Sequence, residues 1–561
     1  MSESISNERL SKRNLWGYSM GGIGRDMAYQ LVNTYLLTFI TFTKGLSNTE
    51  FAMVGVIMVI CRIFDGCNDP FMGSLIEITR TKIGKFKPWI LAGVFTNVAV
   101  IIALFCVPLR GTSYLIFFAF GYLLWGMTYT MNDISYWGML PSLTSNPGDR
   151  NNLTTLANIG AGIGAGLSVL AIPSLTQGNL AIASNASKSY AIVSIIVCIV
   201  FFICQIMTVF VVKEKPLPKV RVDDGEKRSL KDMFKVIFKN DQLKPVMASM
   251  LLYNIGSGIT MALASYWIYY RFAYQGLLVT LFTVISGVST LVIVFFPMMC
   301  KKHSRRWISK LSMIMIIVGY LLMFVISLTT GINPDADKVG FKIGEVLIPV
   351  TFIFTGLTGT CAFFGQTLFY QVLTISVANT VEYNEYTTGM RDEGVIFACR
   401  PFTAKLGSAA VVGITTLVVL ALGLNPTNKA ISNADYEAGQ LAIQVEQLVK
   451  DETPNFDSLS KEEQTKLIEA KKKSIETENV AKIEYIIHTN EDTKVAKWQY
   501  QTMFAFMTLL PLVILLGSFA IYFKKYNINE ERYDEICAEI ARRKLAAEGN
   551  AEVVLDGADA N

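Results

Sequence analysis

The sequence predicts an all-α polytopic membrane protein with about twelve membrane-spanning helices in two halves of six. The first observation is composition: 52% of the 561 residues are hydrophobic and 17% are charged, against about 45–50% and about 25% in soluble domains. The second is that apolar stretches of about 20 residues or more, long enough to cross a bilayer, recur along most of the chain. The third is a charged linker that divides these stretches into two sets of six. Together these observations exclude a soluble multidomain enzyme.

The apolar stretches give the order of the predicted spans and of the predicted domains. The first six lie at about 15–43, 51–77, 88–109, 113–141, 152–175 and 189–212. The second six lie at about 245–273, 277–299, 307–329, 345–378, 395–423 and 498–523. The predicted domains are an N-terminal half at 1–212, a cytoplasmic linker at 213–244, a C-terminal half at 245–523 and a cytoplasmic tail at 524–561.

Lysine and arginine in short loops predict the orientation of the chain. Such residues are concentrated in the loops after the second and eighth stretches, whereas the intervening loops are sparse, with Lys44 or Arg110 alone. Both termini are therefore expected on the cytoplasmic side of a bacterial-type plasma (inner) membrane, with the lipid bilayer as a partner. Because the basic residues lie in loops and form no clustered face, we expect no nucleic-acid partner.

A polar segment at 425–497 separates the last two spans and is expected to be an extracytoplasmic helical insertion. Ser460 followed by Glu463 matches a capping box, which predicts that a helix starts there. Charged helix faces of this kind are typical of a solvated excursion. A lid or a surface for a partner is the alternative.

Several kinds of chemistry are missing from the sequence. It contains two histidines, His303 and His488, and no nucleotide-binding motif. We therefore expect no enzymatic activity, no cofactor and no metal other than a coupling cation. Uphill movement of a solute would then draw on an ion gradient.

The second span carries the clearest group of intramembrane charges. Asp65, Asn68 and Asp69 lie three and four residues apart, so their oxygen-bearing side chains share one face of a helix. Charges within a bilayer are costly and need a partner or a purpose. Hard oxygen ligands suit Na⁺, Li⁺ or a proton, which favours a cation site. The alternative is an ion-pair network with Arg62 or with a lysine from elsewhere.

Two further spans combine acids with aromatic residues. The first span contains Arg25 and Asp26, and the fourth contains Asp133 followed by Trp137. Carboxylates accept hydrogen bonds from sugar hydroxyls and an aromatic ring covers the apolar face of a sugar. A sugar site and simple packing both explain this pattern.

The second half adds charged residues near its last spans. Glu382, Glu385 and Arg391 lie in the segment between the tenth and eleventh stretches and are interpreted as a cytoplasmic gate. Arg400 and Lys405 fall within the eleventh stretch. Lys405 is a natural partner for the Asp65–Asp69 pair because it is a compact charge on a flexible stem.

These residues resemble the glycoside–pentoside–hexuronide:cation symporters of the major facilitator superfamily. The most specific segment is RIFDGCNDPFMGSLIEITRTKIGKFKPW, at Arg62–Trp89. Support comes from GRD at Arg25, YTMND at Asp133 and TVEYNE at Glu382. The resemblance covers most of the chain apart from the insertion and the extreme tail.

The resemblance also implies a role for individual residues. It assigns the coupling-cation site to Asp65, Asn68, Asp69 and Thr130, with Lys405 beside it. The predicted sugar-binding residues are Arg25, Asp26, Asp133, Trp137, Asn158, Tyr370 and Arg400, with Tyr370 at a position where the family pattern has Trp. Two positions depart from the pattern: Asn158 replaces an arginine, and Arg400 replaces an uncharged residue.

The sequence thus predicts a symporter that couples uptake of a sugar or glycoside to Na⁺, or to H⁺ or Li⁺, by alternating access, and works as a monomer. An amphiphile or drug carrier on the same fold and a transporter-like sugar sensor are the alternatives. The two departures argue against a galactoside and raise the hypothesis of an acidic sugar held by Arg400. In the competing interpretation, Arg400 pairs with Glu393 or Asp133.

Overall fold

The computed structural model describes residues 10–144, 146–214, 239–330, 337–343, 346–390 and 392–558. Within these residues the chain is almost entirely helical, as predicted. The first half contains α1 (Lys12–Thr43), α2 (Asn48–Ile78), α3 (Lys87–Cys106), α4 (Gly111–Leu143), α5 (Pro147–Thr176) and α6 (Ala186–Val211). The second half begins with α7 (Leu243–Arg271), α8 (Gly276–Val288), α9 (Val292–Lys302), α10 (Arg305–Thr330), α11 (Val350–Thr388) and α12 (Glu393–Ala421). It continues with α13 (Asn425–Ile443), α14 (Val445–Glu452), α15 (Lys461–His488), α16 (Lys497–Lys525) and α17 (Glu530–Ala558).

Twelve helical spans can be followed in the described chain: α1–α7, the broken pair α8–α9, α10–α12 and α16. Ten of them are long and apolar enough to cross a membrane by length and composition. The other two spans, α1 and α2, are 32 and 31 residues long. Both carry charged residues within the predicted spans. The predicted all-α polytopic fold is confirmed. Most of the predicted linker, 215–238, lies outside the described residues.

Two features differ from the predicted elements. The tenth span, α11, continues to Thr388, about ten residues past the predicted end, because polar residues in its last turns remain compatible with a helix outside the bilayer. A short hairpin precedes it, with β1 (Gly340–Ile343) antiparallel to β2 (Val346–Pro349). No alternating pattern long enough to indicate these strands is present in the sequence.

Small residues bring α1 and α5 into close contact. A Cβ atom added to Gly160 would lie 2.4 Å from the carbonyl oxygen of Ser19, and one added to Gly164 would lie 2.0 Å from that of Ile23. Close backbone approach of this kind is how small residues hold membrane helices together. The glycine-rich segment of α5 is therefore a packing surface.

The two halves meet in an aromatic cluster at one end of the bundle. We call this end, where α1 stops at Thr43 and α7 stops at Arg271, the insertion side. The Thr41 and Tyr266 hydroxyls are 3.0 Å apart, and Gln177 donates to the Tyr274 hydroxyl at 3.2 Å. The Phe42 ring contacts four tyrosine rings of the second half, those of Tyr266, Tyr269, Tyr270 and Tyr274. The halves are closed against each other on this side.

The segment 425–497 folds into α13, α14 and α15 and lies over the insertion side. The predicted capping box is present at the start of α15, where Ser460 and Glu463 exchange hydrogen bonds. α15 is mostly exposed, but α13 packs against α1 and α6, and its Ile431 and Asp435 are buried. A purely solvated excursion is therefore the wrong interpretation for α13.

Candidate functional site

A lysine from the second half lies between two carboxylates of the first half. Lys405 Nζ, on α12, is 3.0 Å from Asp65 Oδ2 and 2.6 Å from Asp69 Oδ2 on α2. Thr130 of α4 donates to Asp65 Oδ1 at 2.7 Å and is 3.5 Å from Asp69 Oδ1. Because Asp65 and Asp69 are one helical turn apart, both reach the same ammonium group. The structure thus joins four of the five residues of the predicted cation site.

The fifth residue, Asn68, is buried on the same helix but, within the described chain, is not hydrogen-bonded to the other four. Arg62 interacts electrostatically with Asp65, but its described hydrogen bond and ring contact are made elsewhere. Its guanidinium donates to Asn33 of α1 and lies 5.4 Å from the centre of the Trp125 ring. Asn33 was not predicted from the sequence as the partner of Arg62. A buried arginine in an apolar span nevertheless indicates that a polar partner exists.

Arg25 joins the two predicted sugar-binding acids. Its guanidinium is 2.5 Å from Asp26 Oδ2 and 2.7 Å from Asp133 Oδ1, and it lies 4.8 Å from the ring centres of Tyr136 and Trp137. Arg25 is 3% exposed, whereas the side chains of Asp26 and Asp133 are 21% and 36% exposed. The second oxygen of each acid makes no hydrogen bond to any described residue. Two accessible acceptors therefore face away from the arginine.

The Arg25 cluster is held rigidly because α1 and α4 are bonded to each other beside it. The Tyr18 and Tyr136 rings stack with their centres 4.4 Å apart. Each hydroxyl donates to the backbone carbonyl of the other tyrosine at 2.8 Å. Asp133 also interacts electrostatically with Asp69 and Lys405, so the Arg25 and Lys405 clusters are neighbours.

Tyr370 and Arg400 form a separate pair on the second half. Arg400 Nε donates to the Tyr370 hydroxyl at 3.1 Å, and the Tyr370 ring stacks on Tyr253. Arg400 is exposed, and its pairing with a neighbouring acid such as Glu393 or Asp133 stays an untested alternative. Asn158 donates to the Thr154 carbonyl of its own helix, and no described contact joins it to the Arg25 cluster.

The predicted gate lies partly outside the described residues. Arg391 belongs to the part of the chain that is not described. Glu382 and Glu385 lie in the final turns of α11, not in a loop as expected, because the helix continues to Thr388. In the same turns, the Tyr383 hydroxyl donates a hydrogen bond to Asp241 at 2.8 Å. A gating role for these residues stays a prediction.

Twelve spans in two halves, with paired charges where the halves meet, are the arrangement of the major facilitator fold. The chain belongs to the family described as "MFS/sugar transport protein", whose model matches residues 17–443. This confirms the class to which the sequence was assigned by resemblance.

Individual relatives agree with this family. The chain is 26% identical over 437 residues to the raffinose carrier protein of Pediococcus pentosaceus, covering 76% of this chain and 64% of the relative. It is 28% identical over 439 residues to the lactose permease of Lactobacillus delbrueckii subsp. bulgaricus, covering 76% and 66%. The isoprimeverose transporter of Lactiplantibacillus pentosus is 25% identical over 416 residues, covering 73% and 80%. The chain thus spans just under two thirds of the length of the first two relatives.

Among solved structures, the fold is similar to a crystal structure of a mutant of the nucleoside transporter NupG. The TM-score is 0.51 at 11% identity, covering 91% of this chain and 99% of that chain. At this identity the likeness concerns the fold alone.

Proposed function

We propose that the protein is a secondary active symporter that couples uptake of a sugar or glycoside to Na⁺ or H⁺ by alternating access. The observation that carries this proposal is the position of Lys405 between Asp65 and Asp69. This ion pair ties α2 of the first half to α12 of the second half. A cation that binds the two carboxylates competes directly with the ammonium group for them.

Coupling follows from this competition. When Na⁺ or a proton neutralises Asp65 and Asp69, the attraction of these groups for Lys405 weakens, and so does the tie between the halves. Alternating access requires the halves to rock around a central site. Binding of the cation therefore lowers the barrier to rocking when the neighbouring sugar site is filled.

The Arg25 cluster is the proposed sugar site. The unused oxygens of Asp26 and Asp133 accept hydrogen bonds from sugar hydroxyls, and the indole of Trp137 covers an apolar sugar face. Arg25 holds both acids in place and compensates their charge. The relatives named for raffinose, lactose and isoprimeverose support a sugar or glycoside as the substrate.

We further propose that the insertion side faces outward and that both termini are cytoplasmic in a bacterial-type inner membrane. The lysine and arginine residues of the loops on the opposite side support this orientation. The protein is proposed to function as a monomer, because both charge clusters are built from one chain.

The test uses purified protein in liposomes and a panel of radiolabelled glycosides, with an inward Na⁺ gradient, an inward H⁺ gradient or neither. We expect at least one glycoside to accumulate with one of the gradients. In Asp69→Asn, accumulation should be lost while sugar exchange across the membrane persists, because a hard anionic ligand is removed. Glu462→Gln, at an exposed carboxylate of the insertion, is the control. Failure of every glycoside to accumulate with either gradient would contradict the proposal.

A further inference from the structure

The insertion of 425–497 belongs to the second half by its chain connections. Residues 422–424 connect α12 to α13, and Gln499 at the start of α16 donates to the Leu422 carbonyl at 2.7 Å. Tyr270 at the end of α7 donates to Asn428 at 2.6 Å, and the Tyr270 carbonyl lies 3.2 Å from the His488 ring nitrogen. The insertion is thus fixed to the second half at both of its ends.

Many of its other contacts are with the first half. Asn425 donates to the Leu46 carbonyl at 3.1 Å and to Asn48 at 2.9 Å. Arg110, between α3 and α4, donates to the Ser432 carbonyl at 3.0 Å and to the Ser432 hydroxyl at 2.9 Å. The guanidinium of Arg110 also lies 4.5 Å from the centre of the Tyr436 ring. These bonds cross from one half to the other.

The most buried of these contacts is at the start of α6. The carboxylate of Asp435, which is 2% exposed, accepts from the backbone N–H groups of Ala186 at 2.5 Å and Ser187 at 3.1 Å. The Asn185 side chain donates to the Asp435 carbonyl at 3.0 Å. The N–H groups at a helix N-terminus lack intrahelical partners, and they offset part of the cost of burying this carboxylate. If the insertion leaves the first half, the Asp435 carboxylate and the N–H groups of Ala186 and Ser187 lose these hydrogen bonds.

We propose that the insertion is a latch that holds the insertion side closed and must leave the first half once in every transport cycle. This inference rests on the proposed alternating access. Since the insertion is fixed to the second half, the halves cannot part on this side while the bonds of Asp435, Arg110 and Asn425 remain. The latch therefore adds to the aromatic cluster of Phe42 in setting how often the site opens to the insertion side.

The contact surface is suited to repeated opening. Between the insertion and the first half lies a cavity of about 320 Å³ lined by Lys44, Arg110, Lys188 and Tyr436. The contacts beside it combine apolar packing of Ile431 and Ala434 with hydrogen bonds between polar groups, which water replaces at a small net cost when the surfaces separate. A dry apolar contact of the same extent would resist opening far more strongly.

A reversible cross-link tests the latch. A Cβ atom added to Gly439 of α13 would lie 2.6 Å from the Asn185 side-chain nitrogen, so Asn185→Cys with Gly439→Cys places two thiols within reach of a disulfide. Cys106 lines the same cavity and is replaced by Ser in this background. We expect the oxidised pair to lose glycoside uptake by at least about tenfold and to regain it after reduction, with each single cysteine variant unaffected by oxidant. Equal uptake by the oxidised and reduced pair overturns the latch.

Backbone hydrogen exchange at Ala186 and Ser187 gives a second measurement that does not depend on transport. If the latch opens, the disulfide should slow exchange of these two amides by at least about tenfold, and Arg110→Ala should accelerate it. Arg532→Ala, which removes an exposed ion pair with Glu535 in α17, is the matched control and should change neither. Identical exchange in the oxidised and reduced pair overturns the latch, whereas absence of uptake in the unmodified protein contradicts only the proposed transport function.

Discussion

Lys405 Nζ lies 2.6 Å from Asp69 Oδ2 although the two residues are 336 positions apart and belong to different halves. The lysine side chain is 21% exposed and that of Asp69 is 32% exposed, so the pair is partly shielded but open to small ions. An ammonium group in this position stands where a coupling cation would bind. In the proposed function, the pair connects cation binding to the relative position of the halves.

Replacement of Lys405 by Ala should increase the affinity for Na⁺. The two carboxylates then lose their nearest positive charge, and an ion pair at about 4 Å is worth several kcal/mol at the effective dielectric constant of a partly shielded site. We expect the apparent dissociation constant for Na⁺ to fall by about tenfold or more, measured from the rise of the thermal unfolding midpoint with Na⁺ concentration. Lys310→Ala, at an exposed position of α10, is the control. An unchanged Na⁺ response in Lys405→Ala would refute the competition between the ammonium group and Na⁺.

Replacement of Asp133 by Ala should weaken sugar binding itself as well as coupling. It removes an accessible acceptor and releases Arg25 from one of its two acid partners. Leaving a bound hydroxyl unpaired costs about 1–3 kcal/mol, which weakens binding by about five- to a hundredfold. Equilibrium binding of the glycoside identified in the uptake panel measures this loss. Unchanged affinity would mean that Asp133 has a structural role only.

Arg400 should distinguish an acidic sugar from its neutral counterpart. Its guanidinium is exposed and is engaged by the Tyr370 hydroxyl, which leaves donors available for a carboxylate, and a planar guanidinium fork matches a carboxylate. We expect Arg400→Gln to lose uptake of a glucuronide selectively and to retain the corresponding glucoside. The comparison is made by competition against the same labelled substrate. Equal loss of both sugars, or of neither, would eliminate the hypothesis of an acidic sugar.

Closing of the latch should depend on pH through Asp435. Burial raises the pKa of this carboxyl to about 6, against the opposing effect of the Ala186 and Ser187 N–H groups and the charge of Arg110. In the released insertion the carboxyl is in water, with a pKa of about 3.9. The docked form thus binds the proton more tightly, so its added stability is complete below about pH 4 and is lost as the pH rises through about 6.

The difference of about two pKa units corresponds to about 3 kcal/mol of docking free energy. This pH-dependent docking should change the distance distribution between spin labels at Lys461 and Ser113, both exposed, when the pH is lowered from 7 to 4.5. Asp435→Asn should remove this dependence, and a distribution that shifts equally in both proteins would assign it to another group. The other ionisable groups that line the two cavities adjoining the carboxyl are Lys44, Cys106, Arg110, Lys188, Tyr274, Tyr436, Lys473, Glu476 and Glu484.

The Asp65–Asp69–Lys405 cluster could be predicted from the sequence because few solutions exist for charges inside apolar helices. The helical period places Asp65 and Asp69 on one face, and an isolated lysine in another span needs a partner. The bridge from Arg25 to Asp26 and Asp133 could not be derived in the same way. Adjacent residues on a helix point in different directions, and the bridge forms only because the fold brings α4 within reach of the Arg25 side chain of α1.

The docking of the insertion onto the first half could also not be predicted from the sequence. Hydrophobic periodicity reports surfaces that are buried because they are apolar, whereas α13 is held by the polar residues Asn425, Ser432 and Asp435 as well as by Ile431 and Ala434. Asn425 and Asp435 pair with backbone groups at Leu46, Ala186 and Ser187, and backbone groups leave no trace in composition, whereas Ser432 pairs with the side chain of Arg110. A polar helix in contact with a membrane bundle therefore has the same pattern as a solvated helix.

The aromatic cluster around Phe42 has a consequence for the temperature dependence of uptake. The Phe42 ring and the rings of Tyr266, Tyr269 and Tyr270 are almost fully buried while the insertion side is closed. When the halves separate there, apolar ring surface meets water, and such exposure carries a positive heat-capacity change. The enthalpy of opening then varies with temperature, so a van't Hoff plot of the closed and open populations is curved. Cooling weakens the hydrophobic contribution of these rings, and this cluster therefore favours the closed form less strongly in the cold.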